Sequence, residues 1–168
     1  MQRILIIGSS GAGKSTLSRK LHQKLGIPLI HLDQHYWQSG WVEPPKPEWN
    51  KRVAKLVEAP QWIMDGNFGS SLPIRLPRAD TVILLNYPTW LCILRVFQRY
   101  ARYLGKTRPD MGPNCPEQFD WEFLHYIYGF KKKHLPRALK NMEEYGAHTH
   151  KIILSSPRAT RRFLRGLS

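Results

Sequence analysis

The chain has 168 residues, 42% of them apolar, and a formal net charge of +14 from 26 Lys and Arg against 12 Asp and Glu. That length suits one domain with a substantial core, and the apolar share excludes a disordered chain. No apolar run reaches the roughly 18 residues of a spanning helix, and the charge points to polyanionic ligands, with 15 basic against 6 acidic groups in residues 91–168 and 11 against 6 in residues 1–90.

In chain order, Arg3 to Ile7 is an Ile-rich run ending in Gly8, the pattern of a buried strand opening into a turn. Its abrupt end in a glycine loop, without a cleavage-type region, separates it from a secretory signal. Leu17, Leu21 and Leu25 recur one turn apart and predict a helix over Lys14 to Leu25. Ile27 to Leu32 reads as a second strand closed by Asp33, and Pro47 to Ala59 as a helix with Trp49, Val53, Leu56 and Val57 on one face. Gln61 to Met64, Thr81 to Leu85 and Lys151 to Leu154 read as further strands, closed by Asp65, Asn86 and Ser155. A helix is expected over Trp90 to Lys106 and a last short one after Pro157. Strands alternating with helices imply βαβ units and a mainly parallel α/β sheet, whose ligands sit at the carboxyl ends of the strands.

The stretch from Gly8 to Ser15 is Gly-x-x-x-x-Gly-Lys-Ser, between a predicted strand and a predicted helix. It is the P-loop pattern: its glycines allow backbone N–H groups to converge on phosphate oxygens. The following helix adds the positive end of its dipole. The expected ATP-binding residues are Gly8, Gly11, Ala12, Gly13, Lys14, Ser15 and Thr16, with Lys14 on the β- and γ-phosphates. Mg²⁺ is expected on Ser15 and on Asp65, the carboxylate at a neighbouring strand end, held directly or through water.

Asp33 is positioned to orient or deprotonate an acceptor hydroxyl. Tyr36, Trp37 and Trp41 follow it and suit either stacking on a flat ring or packing under the loop, while His31 and His35 show no metal spacing. Arg75 suits an anionic acceptor or a surface salt bridge. On the helix from Trp90, Ile93, Phe97, Tyr100 and Leu104 form one face, and Arg95, Arg99, Arg102 and Lys106 form another that leads to Arg108. This strip reads as a phosphate-closing lid, a solvated face or a nucleic-acid surface. The basic stretches 130–140 and 157–166 lack the aromatic interleaving of a single-strand binder and read as solvated helix ends. Cys92 and Cys115 form no metal pattern, so a reduced, cytoplasmic setting is expected.

Segments "GSSGAGKSTL", "IPLIHLDQHYW", "WIMDGNF" with Arg75, "RVFQRYARYLGKTRPDM" and "CPEQFDWEFL" together resemble the DNA topology modulation proteins, a branch close to adenylate kinase-like nucleoside and nucleotide kinases. The resemblance runs from about Arg3 to Leu164. It implies a three-layer α/β/α P-loop fold with a five-stranded parallel sheet of order 2-3-1-4-5 and a small helical lid over roughly 95–116. It further implies ATP with Mg²⁺, Asp33 and Arg75 on the acceptor side, and Arg95 and Arg99 as lid arginines closing on the phosphates. The family's Leu-Asp-x-Pro reads Leu85-Asn86-Tyr87-Pro88 here. The expected activity is transfer of the γ-phosphoryl group of ATP to a nucleoside, nucleotide or similar small hydroxyl acceptor, by a monomer or weak dimer away from membranes. The alternative is an ATP-binding regulator associated with DNA.

Overall fold

A computed structural model describes residues 1–167. Strand β1 (Arg3–Gly8) runs into helix α1 (Lys14–Leu25), then β2 (Leu29–His31), a short α2 (Leu32–Tyr36) and α3 (Lys46–Leu56). β3 (Trp62–Asp65) follows, then α4 (Leu72–Arg75) between two 3₁₀ turns, β4 (Thr81–Leu85) and α5 (Thr89–Tyr103). The chain closes with α6 (Trp121–Lys133), α7 (Leu135–Glu144), β5 (His150–Leu154) and α8 (Pro157–Arg165). All strand pairs are parallel and the order is β2-β3-β1-β4-β5, as expected. Among the described residues no helix is long and apolar enough to cross a membrane.

Alternation along the strands explains the three layers. In β1, Ile4 and Ile6 face a core built with Leu17 and Leu21 of α1, Val96 of α5, Ile127 of α6 and Leu164 of α8. Leu5 and Ile7 face a second core built with Trp49 and Val53 of α3, Leu72 and Met142. Side chains on a strand point alternately to the two faces, so a continuous apolar run is needed when both faces are covered. Ile4, Leu5, Ile6, Ile63, Val82 and Ile83 are completely buried.

Three local departures bear on the site. β2 is shorter than the run from Ile27 to Leu32, because Leu32 already opens α2; the stretch expected as a loop begins with a helical turn. α5 ends at Tyr103 rather than Lys106, where Gly105 takes φ 71° and turns the chain. Of the expected small helical lid, residues 95–103 belong to α5, and residues 104–120 are irregular, held by isolated bridges between Leu104 and Glu117 and between Thr107 and Pro116.

Candidate active site

The order β2-β3-β1-β4-β5 puts the loop after β1 at the centre of the sheet's carboxyl edge. A cleft of about 1490 Å³ opens there. Its floor is the loop from Ser10 to Thr16. One wall comes from the ends of β2 and β3, with Asp33, Trp37, Trp41, Glu43, Asn67 and Phe68. The opposite wall comes from the β4 and β5 side, with Tyr87, Arg95, Pro157, Thr160 and Arg161. Residues 98–123 complete the rim, including Arg99, Arg102, Arg108, Asp110 and Glu117.

The loop is closely packed from below. Gly11 has φ 79°, and a Cβ there would lie 2.2 Å from the Cys92 carbonyl oxygen on α5. Only glycine fits such an approach. Gly8 lies beneath the loop at the end of β1, and its N–H donates to Asn67 Oδ1 at 3.1 Å. Gly13 caps α1 in the left-handed region, and Ala12 is buried with its carbonyl accepting from Arg95 Nη1 at 3.3 Å. Lys14 Nζ donates to the carbonyls of Gly8 at 2.9 Å and Ser9 at 3.1 Å. Burial lowers its pKa, against the attraction of Asp33 and Asp65.

Asp33 stands across the floor from Lys14, and its pKa is pushed up to about 6. Burial is the main cause; Lys14 opposes it, and the charges of Asp65 and Asp110 add to it. Asp65 has a different place from the one its strand-end position suggests. It is 4% exposed, and its two oxygens accept from Ser18 Oγ at 3.0 Å and pair with His31 Nδ1 at 2.7 Å. Burial opposes the charged form of His31, but the hydrogen bond and charge of Asp65 outweigh it and raise its pKa. Asp110, from the irregular segment, lines the cleft with Ser15, and its pKa is held down by Arg108 and by Ser15 despite burial. Each oxygen of Asp65 thus has one hydrogen-bond partner inside the core, and Asp65 is not among the residues that line the cleft.

Arg75 also departs from expectation. It does not line the cleft but is fully buried. Its guanidinium donates to the carbonyls of Gly66 at 3.1 Å, Asn67 at 2.8 Å and Phe68 at 3.0 Å. Burial brings its pKa down to about 9. It shapes the turn after β3 rather than facing a ligand. Tyr36 turns inward as well, packing on Trp49 at 4.9 Å and Phe68 at 4.5 Å between ring centroids. Trp37 and Trp41 do line the cleft, edge to face at 5.2 Å.

The arginines of α5 are not a free positive strip. Arg95 lies over the Tyr87 ring at 5.3 Å. Arg99 Nη2 meets Glu117 Oε1 at 2.6 Å, and Arg108 Nε meets Glu117 Oε2 at 2.6 Å. Arg108 also reaches Asp110 at 3.3 Å. Glu117, whose side chain is 4% exposed, thus joins α5 to the irregular segment. Arg102 is exposed on the rim. Asp110 and Glu117 were missed as site residues although their segments stood out; their partners lie far off in the sequence or turn on side-chain direction, which spacing does not carry. Asn67 was also missed; it bridges Gly8 and the Tyr126 hydroxyl, 3.1 Å from each.

No family model matches the chain, and no curated protein matches it. Solved structures do. The shikimate kinase of Acinetobacter baumannii, in complex with shikimate, is similar with a TM-score of 0.61 and 18% identity, over 99% of this chain and 90% of that one. The shikimate kinase of Bacteroides thetaiotaomicron gives 0.55 and 16% identity, over 99% and 96%. The deoxyadenosine kinase of M. mycoides with bound dCTP gives 0.50 and 14% identity, over 97% and 96%. The chain has the fold of the P-loop kinases.

Proposed function

We propose that the protein is an ATP-dependent phosphotransferase acting on a small hydroxyl compound. The observation that carries this reading is one cleft in which the P-loop lysine, Lys14, and a carboxylate from the end of β2, Asp33, face the same space. The loop amides of Gly11, Ala12 and Gly13, with Lys14 and Thr16, hold the phosphates, above Gly8. Asp33 orients the acceptor hydroxyl and takes its proton as the oxygen bonds to the γ-phosphorus and the bond to ADP breaks. Arg95, Arg99 and Arg108 offset the charge of the transferring group, and Arg102 adds to the field at the rim. Catalysis is then mostly positioning and electrostatics.

Mg²⁺ would be held by Ser15 and the phosphate oxygens; it supplies neutralisation of developing charge on the phosphates. Asp65 acts at a distance through its negative charge and through Ser18. The buried free thiols of Cys92 and Cys115 fit a reducing compartment, and we place the protein in the cytoplasm. The DNA-regulator reading, and with it the resemblance to topology modulation proteins, draws on a free cationic strip. Arg95 and Arg99 weigh against it, because they turn toward the P-loop and toward Glu117.

Calorimetric titration with ATP and Mg²⁺ tests the donor half directly. Wild-type protein is expected to bind, and Lys14→Ala to bind at least about 100-fold more weakly. Unchanged affinity in Lys14→Ala contradicts the assignment.

A further inference from the structure

The cleft is electrically polarised. On the β4 and β5 side Arg95 and Arg161 stand without a carboxylate among the lining residues of that wall. On the β2 and β3 side the ionisable groups are the carboxylates Asp33 and Glu43, and Asp110 of the irregular segment lines the cleft near Asp33. Except for Arg19, the cations nearest that wall are already committed. Arg75 points into the core and serves three backbone carbonyls. Arg52 of α3 donates to the His35 carbonyl and to Glu48. Arg108 is shared between Glu117 and Asp110. Arg19 lines the cleft from an exposed position on α1, and Lys14 belongs to the phosphates. The rings of Trp37, Trp41 and Phe68 line the same side of the cleft.

An anionic acceptor entering this half meets like charge from Asp33 and Glu43, and the unpaired arginine within reach, Arg19, is solvent-exposed, where water screens its charge. A flat, uncharged ring finds aromatic faces, and its hydroxyl finds Asp33. A cationic amine gains from the same carboxylates. Resting on the kinase reading above, we infer that the acceptor is an uncharged or cationic, ring-bearing hydroxyl compound of the nucleoside type, and not a carboxylic acid or a phosphate monoester. Its hydroxyl oxygen takes the γ-phosphoryl group from ATP, ADP leaves, and the hydroxyl proton passes to Asp33 and then to solvent.

The test is equilibrium binding read by the change in tryptophan fluorescence, to which Trp37 and Trp41 contribute from the wall itself. The probes are the common nucleosides, their 5′-monophosphates and shikimate, each with Mg²⁺ and a non-hydrolysable ATP analogue. At least one nucleoside is expected to bind about tenfold or more tightly than its own monophosphate, with shikimate weaker still. Glu43→Gln, outside the transfer machinery, is expected to narrow that ratio while ATP affinity stays the same. A monophosphate or shikimate binding as tightly as every nucleoside overturns the inference, as does a panel in which no nucleoside binds. Failure of the ATP analogue to bind overturns the kinase reading instead, so the two failures are distinguishable.

Discussion

Asp33 carries the sharpest expectation at the scale of single residues. Its pKa of about 6 leaves it ionised at neutral pH and protonated in mild acid. As a proton acceptor it must be ionised, so transfer is expected to fall as pH drops through about 6. Asp33→Asn should remove that acid limb and reduce transfer by about 10²–10⁴, with ATP affinity little changed. A pH profile that keeps the limb in the variant contradicts the role. The sign for stability is opposite to that of a paired carboxylate. The folded state holds this proton more tightly than the unfolded chain, so the contribution of Asp33 to stability falls as pH rises from 3.8 to about 6. Arg75 makes a contrasting case. Arg75→Met leaves the carbonyls of Gly66, Asn67 and Phe68 without their donor. Urea unfolding should show a loss of about 3 kcal/mol or more, with ATP affinity within about twofold of wild type. Full stability with loss of nucleoside binding would return Arg75 to the acceptor side.

The element that decides the shape of the cleft is the irregular segment 104–120. It has few backbone bridges, and its strongest tie to α5 is Glu117 between Arg99 and Arg108. Glu117→Gln leaves two partly buried guanidinium groups without their shared carboxylate. A loss of about 3 kcal/mol is expected in equilibrium unfolding, together with faster proteolysis between residues 104 and 120. Unchanged stability and protection in Glu117→Gln contradict the tie. Elements with strong local patterns were legible in the sequence. α1 and β4 have the predicted limits, because leucines one turn apart and a continuous apolar run opened by three β-branched residues both act within one segment. Of α6 and α7, only the basic stretch 130–140 was read, as a solvated helix end. α6 is crowded with aromatics of middling helix propensity, and its start signal is Asp120, whose side chain accepts from the N–H groups of Glu122 and Phe123. α7 is marked by a proline in its first turn. α2, at five residues, is too short to show a period.

Across the molecule, the sheet's carboxyl edge was readable, and with it the meeting of Lys14, Ser15 and Asp33 at one cleft. Parallel βαβ winding brings strand ends together whatever the intervening sequence. The direction of each side chain was not readable. Whether Arg75 or Tyr36 faces the cleft depends on the turn after β3 and on rings packed between α2 and α3, and Asp65 turns away because Ser18 and His31 take both its oxygens. The net charge of +14 likewise conceals its distribution: part of the basic excess sits in ion pairs around Glu117, and the β2 and β3 wall of the cleft carries Asp33 and Glu43. The central claim is tested most directly by measuring ADP formation from ATP and Mg²⁺ with wild-type protein and Lys14→Ala, with and without a panel of nucleosides. The account predicts that a nucleoside raises ADP formation in step with a phosphorylated product, and that Lys14→Ala abolishes both. ATP that binds but is never transferred to any nucleoside, or turnover that persists in Lys14→Ala, contradicts it.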